Sequence, residues 1–275
     1  MKLACVSPVV PGASLTQKAQ LLRDCGYDGI SVFLEWETWG KTLEHELLTL
    51  EKRTGVVPCE VVFSGPLYGH LMDRDEEISA SAMKMYREAA RLCGQLGAVT
   101  ELEYSYGLVS ELPMFHPYQR MSEKDWDRFL NVYRNVLEPV AGTDGRVLLE
   151  PINRYEAPYL NCVDHCVEVM EALGADNGGL LLDFFHLSIE EADIAASVQK
   201  AGPYIRHVHM ADSNRLPPGY GHTDWHSALS AMRQAGYRGF CVLECAFHGE
   251  IRDLLRRTRR YLNQLERQIE EELGN

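Results

Sequence analysis

Four acidic or imidazole side chains, Glu150, Asp183, His209 and Glu244, each close a short apolar run, and they follow one another at intervals of 26 to 35 residues. The runs read Val147-Leu148-Leu149-Glu150, Leu180-Leu181-Leu182-Asp183, Ile205-Arg206-His207-Val208-His209 and Phe240-Cys241-Val242-Leu243-Glu244. A strand buried on both faces needs such a run. Strands of this kind, separated by helices and each ending in a ligand-type residue, are what a (β/α)8 barrel uses to build an active site on its C-terminal face. Three carboxylates and one histidine meeting there would hold one hard divalent metal ion.

The rest of the chain agrees with that architecture. Strands are expected at Lys2–Ser7, Gly29–Phe33, Val56–Phe63, Ala98–Tyr104, Val147–Glu150, Gly179–Asp183, Ile205–Met210 and Gly239–Glu244. Helical patterns lie between them at Ser14–Cys25, Lys41–Arg53, Asp75–Leu96, Ser122–Val140, Cys162–Leu173, Ile194–Ala201, Trp225–Ala235 and Ile251–Glu272. Ser14 and Ser122 stand where helix N-caps belong, with Gln17 and Asp125 three residues on. Gly26, Gly55, Gly97, Gly142, Gly174, Gly202 and Gly236 each follow a helical stretch, as left-handed C-caps do. No linker or low-complexity tract divides residues 1–275, so a single TIM-barrel domain in the α/β class is expected. A doubly wound sheet lacks its glycine fingerprint, because Pro8-Val9-Val10-Pro11-Gly12 follows the first strand.

Charge and cysteine usage narrow the function. A net charge of -13 argues against nucleic acid, since a duplex binder needs a basic face. The arginines Arg252, Arg256, Arg257, Arg259 and Arg260 on the last helix are answered by Glu266, Glu270, Glu271 and Glu272, which reads as a solvated helical face. None of the eight cysteines forms a C-x-x-C pair, and several sit inside apolar runs, so reduced, buried thiols of a cytoplasmic protein are expected. Met1-Lys2-Leu3-Ala4-Cys5 resembles a lipobox without the apolar region that precedes one, and no apolar stretch approaches the roughly 18 residues of a membrane span.

Strand side chains alternate, so an inward Glu150 brings Leu148 inward with it; Asp183 likewise brings Leu181, His209 brings His207, and Glu244 brings Val242. Each proposed ligand then caps an apolar layer, and His207 lies one layer deeper than His209, as a supporting or core histidine. Oxygen and imidazole donors without thiolate favour Mn²⁺, Mg²⁺ or Co²⁺ over a structural zinc. Beyond the ligands, Glu156, His186 and Arg215 lie on strand-to-helix loops, where substrate contacts belong. Their plainer readings are an ion pair of Glu156 with Arg154, a helix-start position for His186, and a loop salt bridge of Arg215 with Asp212.

The segments Glu150-Pro151-Ile152-Asn153-Arg154-Tyr155-Glu156, Asp183-Phe184-Phe185-His186 and His209-Met210-Ala211-Asp212-Ser213-Asn214-Arg215 resemble the xylose-isomerase-like TIM-barrel superfamily. Within it they are similar to the ketose 3-epimerases, which act on D-tagatose and D-allulose, and to keto-sugar-acid epimerases of the 5-keto-L-gluconate type. The resemblance is specific from Val147 to Glu244; the first half supports the fold alone. It implies metal ligation by Glu150, Asp183, His209 and Glu244, carbonyl binding by Glu156, His186 and Arg215, and a two-base role for Glu150 and Glu244. It further implies a keto-sugar or keto-sugar-acid substrate epimerised at C3 through a cis-enediolate, and a homo-oligomer, dimer or tetramer. The competing reading is a metal-dependent lyase of the inosose-dehydratase or C-glycoside-cleaving type, which shares the enediolate and then expels a leaving group. Loops Ser105–Tyr118 and Leu216–Trp225 would decide between them. Endonuclease-type repair enzymes of the same superfamily need histidines near early strand ends, where Phe63-Ser64 and Tyr104-Ser105 stand, although His222 and Asp224 offer donors for a second metal. A non-catalytic barrel is disfavoured by the intact ligand set.

Overall fold

The apolar runs form eight parallel strands that close in chain order: β1 (Lys2–Val6), β2 (Gly29–Glu35), β3 (Val57–Ser64), β4 (Val99–Leu102), β5 (Arg146–Leu149), β6 (Leu180–Asp183), β7 (Ile205–Met210) and β8 (Phe240–Leu243). The computed structural model describes residues 1–105 and 113–274. Strand β8 pairs back onto β1 from Lys2↔Phe240 to Cys5↔Leu243, which leaves the barrel without an edge.

Alternation along the strands sorts apolar side chains into an outer and an inner core. Outward residues such as Leu3, Ile30, Val61, Leu102, Leu149, Leu182, Val208 and Leu243 pack in one continuous cluster with helix residues including Leu22, Tyr86, Phe129 and Trp225. Inward residues form two small separate clusters, Ala4, Val6, Cys59 and Val242 on one side and Val99, Leu148 and Leu181 on the other. Leu148 and Leu181 are fully buried; burial of that extent stabilises by roughly 1.5–3 kcal/mol per side chain. This inner layer is the floor on which the polar residues stand.

Two bulges set which side chains reach the interior. Between β2 and β3, Ile30 faces Pro58 and Ser31 faces Glu60, so Cys59 is the extra residue and both it and Glu60 lie inside. Between β6 and β7, Leu180 faces Ile205 and Leu181 faces His207, so Arg206 is extra and His207 takes the inner position.

The helices that cover the barrel begin with α1 (Leu15–Asp24), α2 (Lys41–Leu48), α3 (Leu50–Thr54), α4 (Glu76–Leu96) and α5 (Glu123–Leu137). They continue with α6 (Val163–Leu173), α7 (Phe184–Glu190), α8 (Ile194–Ala201), α9 (Trp225–Gln234) and α10 (Ile251–Glu272). Ser14 and Ser122 cap α1 and α5 by accepting from the Gln17 and Asp125 amides. Four expectations need correction. The helix over Lys41–Arg53 is broken at Thr49, whose hydroxyl donates to the His45 carbonyl at 2.7 Å while its backbone leaves the helical region. The helix from Ser122 ends at Leu137, since Pro139 cannot continue it and a 3-10 turn follows. Gly202 is right-handed rather than a left-handed cap and opens a 3-10 turn over Gly202–Tyr204. Helix α7 follows Asp183 directly and was absent from the expected set. All eight cysteines are free and buried, and no helix of the described residues is long and apolar enough to cross a membrane.

Candidate active site

Six carboxylates share the C-terminal mouth of the barrel and its neck: Glu60, Glu101, Glu103, Glu150, Asp183 and Glu244. Glu150 and Glu244 stand one residue past β5 and β8, and their amides extend the ladder to the Leu102 and Met210 carbonyls at 3.1 and 3.3 Å. Asp183 ends β6 and caps α7, its Oδ1 accepting from the Phe185 amide at 2.8 Å. That cap fixes the carboxylate and turns Oδ2 toward Arg215.

Donor atoms of Asp183, His209 and Glu244 lie within 4.8 Å of one another, as do those of Glu150, Asp183 and His186, and those of Glu101, Glu150 and His209. Each of the four sequence-nominated ligands thus belongs to a candidate metal group, but no group holds all four: Asp183, His209 and Glu244 share one, and Glu150 shares one with Asp183 and another with His209. His222 and Asp224 stay apart: His222 Nδ1 lies 2.9 Å from the Ser213 hydroxyl, and Asp224 caps α9.

Glu60 is a residue the sequence reading missed. It accepts from the Ser31 hydroxyl at 2.5 Å and from His209 Nε2 at 2.9 Å, with His207 Nε2 at 3.6 Å beneath. Because Glu60 takes the Nε2 proton, the lone pair of a neutral His209 falls on Nδ1, which has no hydrogen-bond partner and faces Glu244 Oε2 at 3.4 Å. A carboxylate behind an imidazole is the arrangement that orients metal-ligating histidines. The orphaned Nδ1, three surrounding carboxylates and the absence of thiolate fit a hard or borderline divalent ion.

Arg215 reaches the same locus. Its guanidinium lies 2.5 Å from both Asp183 Oδ2 and Glu244 Oε2 and 4.7 Å over the Phe185 ring. The alternative pairing with Asp212 is absent as a side-chain contact; instead the Arg215 amide donates to the Asp212 carbonyl at 2.8 Å. Arg215 has φ 61°, a left-handed conformation that costs a non-glycine residue on the order of 1–2 kcal/mol. His186 is oriented as tightly: the Asn153 amide donates to its Nδ1 at 3.3 Å, so the ring proton sits on Nε2, 3.9 Å from Glu150 and 3.7 Å from Asp183. Glu156 does not line the cavity; it accepts from the Asn153 side chain at 2.8 Å and is linked to the site through it. Arg154 pairs with Glu190 rather than Glu156.

The first half, where the resemblance supports the fold alone, also lines the cavity. Val99, Glu101 and Glu103 alternate inward on and just past β4, so the glutamates stand above Val99. Tyr68 Oη lies 2.6 Å from Glu101 and makes a very short contact with Glu103. Tyr68, Glu101 and Glu103 line a cavity of about 140 Å³ together with Glu150, His186, Arg215 and Glu244. The E-x-E alternation in a strand was the available signal, and Glu60 inside an apolar run was the second. Residues 106–112 of the Ser105–Tyr118 loop lie outside the described residues.

Charge is unevenly compensated here. Burial, then the nearby Glu101 carboxylate, pushes the Glu150 carboxyl well up. Burial would also raise Glu244, but His209 and Arg215 outweigh it and hold it at about 2. Burial and Glu103 push Glu101 up, while burial, aided by Glu244 and Glu60, lifts Glu103 to about 7 against the Tyr68 hydrogen bond. Burial disfavours a charged His209, yet Glu60 and Glu244 raise it well above the usual histidine range, so an ion at Nδ1 would take the place of the proton that Glu244 otherwise favours there. Such a concentration of buried acid is stable when a cation joins it.

Comparison with known proteins shows the family. The family model described as Xylose isomerase-like TIM barrel matches residues 19–265. A 3-dehydro-D-guloside 4-epimerase from Escherichia coli K12 is 27% identical over 258 residues, 91% of this chain and 94% of that protein. A D-psicose 3-epimerase from Enterocloster bolteae is 30% identical over 138 residues, 50% of this chain, and the match spans about half (46%) of that relative. The fold superposes on the solved structure of an L-ribulose 3-epimerase with a TM-score of 0.84 at 20% identity, covering 100% of this chain and 97% of the other. Its relatives are thus sugar epimerases, and the chain belongs to the Xylose isomerase-like TIM barrel family.

Proposed function

We propose that this protein is a divalent-metal-dependent epimerase of a keto-sugar, with Glu150 and Glu244 as its two acid–base groups. The observation that carries the reading is their placement: two carboxylates, one residue past β5 and β8, line one cavity with His186 and Arg215, and each belongs to a candidate metal group. Glu150, Asp183, His209 and Glu244 would hold the ion, Mn²⁺ best and Mg²⁺ or Co²⁺ as substitutes. When bound, it supplies Lewis-acid polarisation of the substrate ketone.

The chain's own groups do the rest. One glutamate removes the proton from the carbon beside the carbonyl, and the other returns a proton to the opposite face of the planar enediolate. His186 presents Nε2–H, and Arg215 its guanidinium, to the oxygen on which charge develops. Glu156 steadies Asn153 and through it the His186 ring. Each acid–base step is worth roughly 10²–10⁴-fold in rate. The same sequence of steps serves C3 of a ketose and C4 of a 3-keto sugar, because both carbons adjoin a carbonyl.

Incubation of the Mn²⁺-loaded enzyme with a panel of ketoses and 3-keto sugars in D₂O tests this by NMR. Deuterium should enter at the carbon next to the carbonyl. Glu150→Gln and Glu244→Gln should each reduce exchange by at least about 10²-fold; wild-type rates in both variants would rule out the two-base assignment.

A further inference from the structure

The first turns of α10 carry Arg252, Arg256, Arg257, Arg259 and Arg260, and the glutamates expected to answer them are engaged elsewhere. Glu266 holds the Met1 ammonium at 2.7 Å and Arg233 at 3.7 Å, Glu270 holds Arg233 at 2.7 Å, and Glu272 lies 3.0 Å from His226. Glu270, Glu271 and Glu272 also stand roughly 15 Å or more along the helix axis from Arg260. That exceeds the roughly 8 Å over which exposed charges act at physiological salt. Arg252 pairs with Asp24 at 3.7 Å. Among the described residues, Arg256, Arg257, Arg259 and Arg260 form no ion pair, so the expected charge balance along this face is not made.

These four side chains line one open cavity of about 450 Å³ with Asp253 and Cys25. Four guanidiniums face one carboxylate there, a surplus of three positive charges on a chain whose net charge is -13. Burial pushes the Cys25 thiol up, so it stays uncharged at neutral pH. Arg256 and Arg260 are four residues apart and Arg257 and Arg260 three, and like charges at those spacings destabilise a helix. Arg259 is seated against the end of α1. Gly26, with φ 85°, leaves room for it, since a Cβ there would overlap Nη1 and stand 2.7 Å from Cζ. The seated Nη1 is buried and has no hydrogen-bond acceptor. A guanidinium held in this way keeps its charge uncompensated, which is costly until an anion reaches the side that faces the cavity.

We propose that the cavity between the end of α1 and α10 binds a small phosphate-bearing anion, at a site separate from the active site. None of its lining residues lines the active-site cavity. The planar fork of arginine takes phosphate oxygens in pairs, and the surplus of three charges suits a dianion better than a single carboxylate. A concave site favours a small ligand, and the acidity of the rest of the chain repels nucleic acid and anionic membrane.

Calorimetric titration of the Mg²⁺-loaded protein with inorganic phosphate tests the site, with acetate at matched ionic strength as the control anion. Phosphate should bind once per chain and at least about tenfold more tightly than acetate. Arg256 and Arg257 are exposed, and neither side chain makes an ion pair or hydrogen bond. Arg256→Ala and Arg257→Ala should each weaken phosphate about tenfold, the change for one lost charge-assisted hydrogen bond. Arg257→Lys keeps the charge and loses the fork, and should remain at least about threefold weaker than wild type. Circular dichroism establishes that each variant is folded, and Arg257→Lys carries the test if an alanine variant is not. A patch that only concentrates anions would treat the lysine variant as wild type, and phosphate held at the active-site metal would ignore both alanine variants. Either result, equal binding of acetate and phosphate, or no phosphate binding at all overturns the proposal. The epimerase reading stands or falls separately, because no residue of the active site takes part.

Discussion

Replacing Asp212 by Asn tests how the loop that carries Arg215 is held. Asp212 is fully buried and gathers five donors: Trp225 Nε1 at 2.9 Å and the Gly219 amide at 2.8 Å on Oδ2, and the Ser213 and Thr223 amides at 2.8 and 3.1 Å and the Ser213 hydroxyl at 3.4 Å on Oδ1. Burial by itself would raise this carboxyl, but the indole and the amides outweigh it and hold it at about 2 against an ordinary 3.8. At about 1.4 kcal/mol per unit, that difference corresponds to roughly 2 kcal/mol of folding stability. An amide keeps one acceptor oxygen and turns the other into a donor facing N–H groups, so the substitution should lose at least that amount. Because the folded carboxyl is depressed, its contribution is complete above the unfolded value near 4 and disappears as pH falls through about 2. Urea unfolding followed by tryptophan fluorescence should place Asp212→Asn about 2 kcal/mol below wild type at pH 7. The gap should narrow as pH is lowered from 4 toward 2. A difference under about 0.5 kcal/mol at neutral pH, where ordinary surface substitutions fall, would refute the reasoning.

Gly221→Ala should damage the same loop, since a Cβ there would stand 2.2 Å from Asp212 Oδ1, and a loss of roughly 1–3 kcal/mol in urea unfolding is expected. Glu60→Gln should weaken Mn²⁺ binding about 10–100-fold by calorimetric titration, because the carboxylate that orients His209 is lost; unchanged affinity would show that His209 is held by other means. Mn²⁺ at a hundred times its dissociation constant should add about 2.7 kcal/mol to stability in thermal unfolding, and EDTA should remove it. Asp183→Asn should abolish that increment, and an undiminished one would place the ion elsewhere.

The architecture was legible because burial of a strand on both faces leaves a local mark. Runs such as Leu180–Leu182 are apolar at every position, and the residue that ends each run is visible beside it. Helix ends were legible for a similar reason, as at Ser14 and Ser122, where a cap and its amide lie three residues apart. Exceptions arose where one side chain outweighed the pattern, as when Thr49 turned its hydroxyl back onto His45.

Periodicity alone thus determined eight strands, their order along the chain and four polar residues delivered to one end. Closure of the barrel decided what those residues meet. It carried Glu60 149 positions along the chain to His209, aimed Glu101 and Glu103 at the cavity rather than at solvent, and gave Arg215 to Asp183 and Glu244 instead of its neighbour Asp212. A bulge at Cys59 set the inward face of Glu60. The physical reason is one of range: side-chain alternation and capping act over a few residues, whereas the electrostatics of a buried site belong to strands that become neighbours after the sheet has closed.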